Sequence, residues 1–105
     1  IGPKAWGTET VIAQTDCYLG KVLRMRAGAS GPLQYHVKKD ETFYLLQGIA
    51  LVEYLDADGV KRQTNMSAGE SYHVPPGAVH RVEAVTPCVF LEASNPVFDD
   101  RVGVA

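Results

Sequence analysis

Gln34, His36 and Glu41 fall together in the stretch "QYHVKKDE", and His80 follows the turn "PPGAV" further along the chain. Gln34 and His36 are two positions apart, so in a strand they project to one face. The short "VKKD" loop lets Glu41 fold back towards His36, while Pro75, Pro76 and Gly77 fix a sharp change of direction that can aim His80 inward. Two imidazoles, a carboxylate and an amide oxygen make a mixed nitrogen and oxygen set. It suits one divalent transition metal, Zn²⁺, Ni²⁺, Mn²⁺ or Fe²⁺, and no thiolate biases the choice. Spacing alone also fits a solvated strand end or a satisfied hydrogen-bond network, the commoner fate of a His and a Glu so placed.

Positioning such a set requires strands. From Thr10 onward, short β-branched or aromatic stretches alternate with Gly, Pro, Asn and Asp punctuation. The pattern predicts strands over 9–14, 18–26, 33–37, 42–47, 49–55, 60–64, 70–74, 80–84 and 87–93. "DADG" at 56–59 is the best hairpin turn, because Asp58-Gly59 tolerates the positive φ angles of a tight reversal. No helix-period stripe runs through the middle of the chain, and its prolines and glycines would interrupt one. So many short strands in 105 residues predict an all-β fold, a closed barrel or jelly roll, as one domain over residues 1–105.

Composition narrows the partners. The formal net charge is −2, from 10 basic and 12 acidic residues, and no basic run exceeds Lys38-Lys39, which disfavours nucleic acid. No run approaches the roughly 18 apolar residues of a membrane span, and the first residues show no charged-then-apolar signal pattern. Cys17 and Cys88 fit no C-x-x-C pattern and read as buried thiols in a reducing cytoplasm. With no repeat, linker or low-complexity segment, all chemistry must come from one barrel and its mouth.

The glycines add a second layer of pattern. Read with gaps, the chain contains Gly28-x5-Gln34-x-His36-x4-Glu41-x6-Gly48 and then Gly69-x5-Pro75-x-Gly77-x2-His80. Together these resemble the two motifs of the cupin family, G-x5-H-x-H-x3–4-E-x6-G and G-x5-P-x-G-x2-H-x3-N. Gln34 stands in place of the first histidine and Ala84 in place of the asparagine. The resemblance implies a double-stranded β-helix (jelly-roll) cupin barrel with a metal near its centre, held by Gln34, His36, Glu41 and His80. It also implies a homodimer.

Glutamine at the first ligand position is a feature of cupin-type mannose-6-phosphate isomerases and related sugar-phosphate proteins. "GPLQYHVKKDETFYLLQG" resembles their S-L-Q-x-H-x-x-R-x-E-H-W-x-V-x-x-G, "PKAWGTE" their K-P-W-G-x-E, "PPGAVHRVE" their P-x-G-x-x-H-R-x-x-N, and "LEASNPVFDD" their E-V-x-x-P-x-x-D-D. Thr42-Phe43 replace the His-Trp after the glutamate, and Lys39 replaces the arginine before it. The resemblance implies a metal-dependent sugar or sugar-phosphate isomerase. The alternatives are a non-haem iron dioxygenase built on His36, His80 and Glu41, or a non-catalytic barrel that binds a carbohydrate or small acid.

For isomerisation the candidate bases are Glu41, Lys38 and His73. Arg81 and Lys39 are candidates to receive an anionic substrate, with Phe43 and Tyr72 as further substrate-binding candidates. Each has a plainer role. His73 reads more readily as a structural histidine, Lys38-Lys39-Asp40 as a solvated loop, and Trp6 as a cover packed on the outside of the barrel or across a dimer seam. Arg24 and Arg26 share a face that the sequence does not specify.

Overall fold

The computed structural model describes residues 2–98 and 100–104, and side chains from residue 5 onward. The protein folds as eleven strands: β1 (Gly2–Lys4), β2 (Gly7–Gln14), β3 (Leu19–Met25), β4 (Gln34–His36), β5 (Glu41–Gln47), β6 (Ile49–Leu55), β7 (Lys61–Ser67), β8 (Ser71–Val74), β9 (His80–Ala84), β10 (Cys88–Ser94) and β11 (Arg101–Gly103). They form two antiparallel sheets, ordered β1-β2-β3-β10-β5-β8 and β11-β4-β9-β6-β7, in a jelly roll. The nine strands expected from sequence are all present. The two additional strands are three-residue pieces at sheet edges, too short to carry an alternation signal.

The β6–β7 hairpin closes over residues 56–60 rather than in a two-residue reversal. The Asp56 carboxylate accepts from the backbone N–H groups of Asp58 and Val60, and of this loop only Gly59 takes a positive φ. Cys17, expected to be buried, is exposed. Thr15 Oγ1 accepts from the N–H groups of Cys17 and Tyr18, which places Cys17 at the tip of the β2–β3 turn. Cys88 is buried as expected. Arg24 and Arg26 face solvent, and the Arg26 guanidinium donates to the Ala5 carbonyl.

Period-two alternation turns one row of each strand into the space between the sheets, and those rows change character along their length. On β3 the row runs Lys21, Leu23, Met25; on β5, Glu41, Phe43, Leu45; on β9, His80, Val82, Ala84; and on β10, in reverse, Cys88, Phe90, Glu92. The register sets Glu92 opposite Lys21 and Phe43, and Cys88 opposite Met25. Leu45, Ala50, Val52, Ala84, Cys88 and Phe90 thus pack as a core at one end, while Val74, buried opposite Glu41, lies level with the charged residues. The charged ends of the rows collect at the other.

Candidate metal centre and its cavity

His36, Glu41 and His80 are each under 5% exposed, and their ligand atoms lie within 4.8 Å of one another. His36 ends β4, Glu41 opens β5 and His80 opens β9, so three strand ends deliver the three side chains to one point. Gln34 is set directly opposite His80 across β4 and β9 and lines the same cavity.

Hydrogen bonds fix which imidazole nitrogens face that point. Asp100 Oδ1 lies 3.2 Å from His36 Nδ1, and the Ala78 carbonyl lies 3.0 Å from His80 Nδ1. Both partners only accept, so each Nδ1 carries the proton and each Nε2 presents a lone pair. Glu41 Oε2 lies 2.7 Å from His36 Nε2 and 3.9 Å from His80 Nε2, yet it is buried with no hydrogen bond. Three converging electron-pair donors around an orphaned carboxylate oxygen are the arrangement a cation satisfies. The residues present therefore fit a divalent metal, and all three atoms are of types Zn²⁺, Ni²⁺, Mn²⁺ and Fe²⁺ accept.

For the two imidazoles the electrostatics agree. Burial, reinforced by the Lys39 ammonium and opposed by Asp100, lowers the His36 pKa. Burial also lowers that of His80, so both rings favour the neutral form that binds metal. Burial, with repulsion from Glu92, pushes Glu41 up to about 8. Burial raises the Asp100 pKa, but donation from the N–H groups of Lys38 and Lys39 and from His36 outweighs it and leaves Asp100 below the ordinary carboxylate value.

The centre opens into a cavity of about 400 Å³. Its floor is apolar: Leu23, Met25, Phe43 and Phe90, with the Phe43 ring 6.4 Å from that of His80. Its wall is charged. Lys39 Nζ lies 2.7 Å from Glu92 Oε2, at ion-pair distance though not in hydrogen-bonding geometry, and Lys21 Nζ lies 3.2 Å from Glu9 Oε2. Trp6, Phe98, Arg81 and Arg101 also line it. Phe98, half exposed, sits over the Lys21 ammonium at 5.5 Å.

Several expectations are corrected here. Lys38 is solvated as expected, but Lys39 is only 3% exposed and lines the cavity, where its ammonium meets Glu92 and Glu41. Trp6 lines the cavity and packs on the core instead of covering the outside. Arg81 borders the cavity, with its guanidinium engaged by Glu53 at 3.4 Å, Glu83 at 3.7 Å and Ser30 at 3.3 Å. His73 stands outside on the surface, its Nε2 2.6 Å from Asp40 Oδ1. Tyr72 is half-buried, packed 6.3 Å from Tyr54, and is outside the cavity wall.

Glu92, Lys21 and Asp100 were not singled out by sequence. The signal for Lys21 is its place on the apolar face of Leu19, Leu23 and Met25, where a solvated lysine would not alternate. Glu92 and Asp100 both fall in "LEASNPVFDD"; its other aspartate, Asp99, lies outside the described residues.

A family profile described as "Cupin domain" matches residues 21–94, more than half of the chain. The chain belongs to the cupin family. Among solved structures, this cupin is similar to the capsular polysaccharide assembling protein CapF from Staphylococcus aureus, at 20% identity and TM-score 0.87 over 98% of the chain and 31% of CapF. It is similar to KdgF from Halomonas sp. at 24% identity and TM-score 0.75, over 92% of the chain and 90% of KdgF. It is also similar to Bacillus subtilis oxalate decarboxylase, a protein with Mn(II) centres, at 27% identity and TM-score 0.72 over 85% of the chain and 24% of the enzyme. The cupin thus spans about a third of CapF and about a quarter of that decarboxylase. No curated protein matches it at significant similarity. No helix among the described residues is long and apolar enough to cross a membrane.

Proposed function

We propose that this cupin holds one divalent transition metal on His36, Glu41, His80 and Gln34 and acts on a sugar or, better, an anionic sugar phosphate, as an isomerase. The convergence of two Nε2 atoms and an orphaned Glu41 oxygen on the lining of a 400 Å³ cavity carries the reading. When bound, the metal supplies Lewis acidity towards a carbonyl or hydroxyl oxygen. Aldose–ketose isomerisation also moves a proton between adjacent carbons. Glu92 and Lys39, paired in the cavity beside Glu41, are the groups placed to hold and return it. Lys21, Lys39, Arg81 and Arg101 outnumber Glu9, Glu41 and Glu92 on the wall, and a divalent ion widens that excess in favour of an anion. Trp6 and Phe98 offer flat apolar faces to a sugar ring.

Mn²⁺ is the first ion to try, given the Mn(II) centres of the decarboxylase at 27% identity. The purified protein is expected to bind about one equivalent of metal and to exchange a C–H proton of mannose 6-phosphate with D₂O. Less than a tenth of an equivalent, with no thermal shift on adding Mn²⁺, Zn²⁺, Ni²⁺ or Fe²⁺, removes the metal reading.

A second reading follows from the same three ligands. Two histidines and one carboxylate form the set used by non-haem Fe(II) oxygenases. Oxygen consumption that requires ferrous iron, without solvent exchange, selects it; saturable sugar binding with neither reaction selects a binding protein. The proposal extends to a cytoplasmic homodimer, which a monomeric mass by light scattering at micromolar concentration would exclude.

A further inference from the structure

We propose that Asp100 is a positioning residue that sets the tautomer of His36 and so links docking of the C-terminal strand to metal affinity. The proposal rests on the metal reading above. Asp100 immediately precedes β11, whose Arg101 is paired opposite His36 on β4. Its two oxygens do different things. Oδ2 accepts from the N–H groups of Lys38 and Lys39, the latter at 3.1 Å, and Oδ1 faces His36 Nδ1 at 3.2 Å.

A neutral imidazole has one N–H and one lone pair. With the proton held on Nδ1 by Asp100, the lone pair lies on Nε2, facing Glu41 and His80. In the other tautomer a proton occupies the direction a metal needs. His80 obtains the same orientation from Ala78, two residues away in its own turn. His36 obtains it from a residue 64 positions on, in front of a three-residue edge strand. One ligand is therefore oriented locally, and the other only when the last strand is docked. Phe98 and Arg101, on either side of Asp100, line the cavity, so one segment both walls the site and orients a ligand. By linkage, metal in turn favours the docked strand, just beyond which the Val104 N–H donates to the Leu33 carbonyl at 2.9 Å.

Asp100→Asn separates tautomer control from loop anchoring. Two backbone donors hold its remaining oxygen, which turns its amide N–H towards His36 Nδ1 and favours the Nε2–H form. Three measurements apply: nitrogen-15 NMR of His36 in metal-free protein, Mn²⁺ affinity by chelator competition, and amide exchange over residues 101–104 with and without Mn²⁺. The wild type is expected to show Nδ1–H and slower exchange in those residues when Mn²⁺ binds. D100N is expected to show Nε2–H, roughly 10- to 100-fold weaker Mn²⁺ binding and no metal-dependent slowing. A wild-type His36 protonated on Nε2, or a D100N affinity within twofold of wild type, overturns the proposal. If D100N does not fold, the two wild-type measurements decide alone. A wild type that binds no metal overturns the functional reading and this proposal with it, whereas binding that is indifferent to D100N overturns only the proposal.

Discussion

Lys39 and Glu92 form an ion pair inside the cavity, with Nζ 2.7 Å from Oε2 and both side chains at most 5% exposed. The same ammonium lies 3.7 Å from Glu41 Oε1, so one lysine stands between two buried carboxylates. Removing it leaves the buried Glu92 carboxylate without its counter-charge. Lys39→Met is expected to cost about 3–5 kcal/mol in urea unfolding of the metal-free protein, whereas Lys39→Met with Glu92→Leu recovers most of that loss. A single-mutant cost under about 1 kcal/mol would show that Glu92 does not depend on the Lys39 ammonium for compensation.

Metal that binds only the folded state raises its stability. At a hundredfold excess over Kd the gain is about 2.7 kcal/mol, which for a domain of this size is on the order of 10 °C in melting temperature. His80→Ala removes one of the three converging ligand atoms, and its melting temperature is expected to be insensitive to Mn²⁺. An undiminished shift in H80A would make His80 structural.

Glu41 ties stability to pH. Its folded pKa, raised to about 8 from 4.5, lies above the unfolded value, so its contribution is fully present below about 4.5 and lost as pH rises through about 8. The lowered pKa values of His36 and His80 act in the opposite sense, costing stability as pH falls below 6.5. Glu41→Gln removes the first effect and keeps the second. Between pH 5 and 8 the stability of metal-free wild type is expected to fall relative to E41Q, measured by chemical denaturation at each pH. Parallel profiles would refute the upshift.

Gly48, between β5 and β6, has a φ of 102°, and a Cβ there would lie 2.3 Å from the Pro87 carbonyl oxygen and 2.9 Å from Cys88 Sγ. Gly48→Ala is expected to destabilise the fold by about 1–3 kcal/mol through backbone strain, and by more if the Pro87 carbonyl cannot move. Thermal unfolding with an unchanged midpoint would contradict this.

The fold was legible because its signals are local. Alternation in "ETFYLLQ" and "HRVEA" marks strands without reference to anything distant, and Gly28, Gly48, Gly69 and Gly77 all adopt positive φ where the motif spacing placed them. His36, Glu41 and His80 were candidates on spacing alone and became a set only through the resemblance to the two cupin motifs, which join distant stretches of the chain. Lys39 was not. Its neighbours in sequence are Lys38 and Asp40, both exposed, and the Glu92 carboxylate that its ammonium meets lies on β10, across the fold.

By itself the sequence determined the strands, the turns and which residue types could bind a metal, since backbone dihedrals and period-two alternation are properties of neighbouring residues. Only the tertiary structure decided which end of each inward row is charged, that Lys21, Lys39 and Glu92 share a cavity with His36, Glu41 and His80, and which nitrogen of His36 faces Asp100. Those depend on strand register and on the docking of β11, where a shift of one residue turns every side chain to the other face.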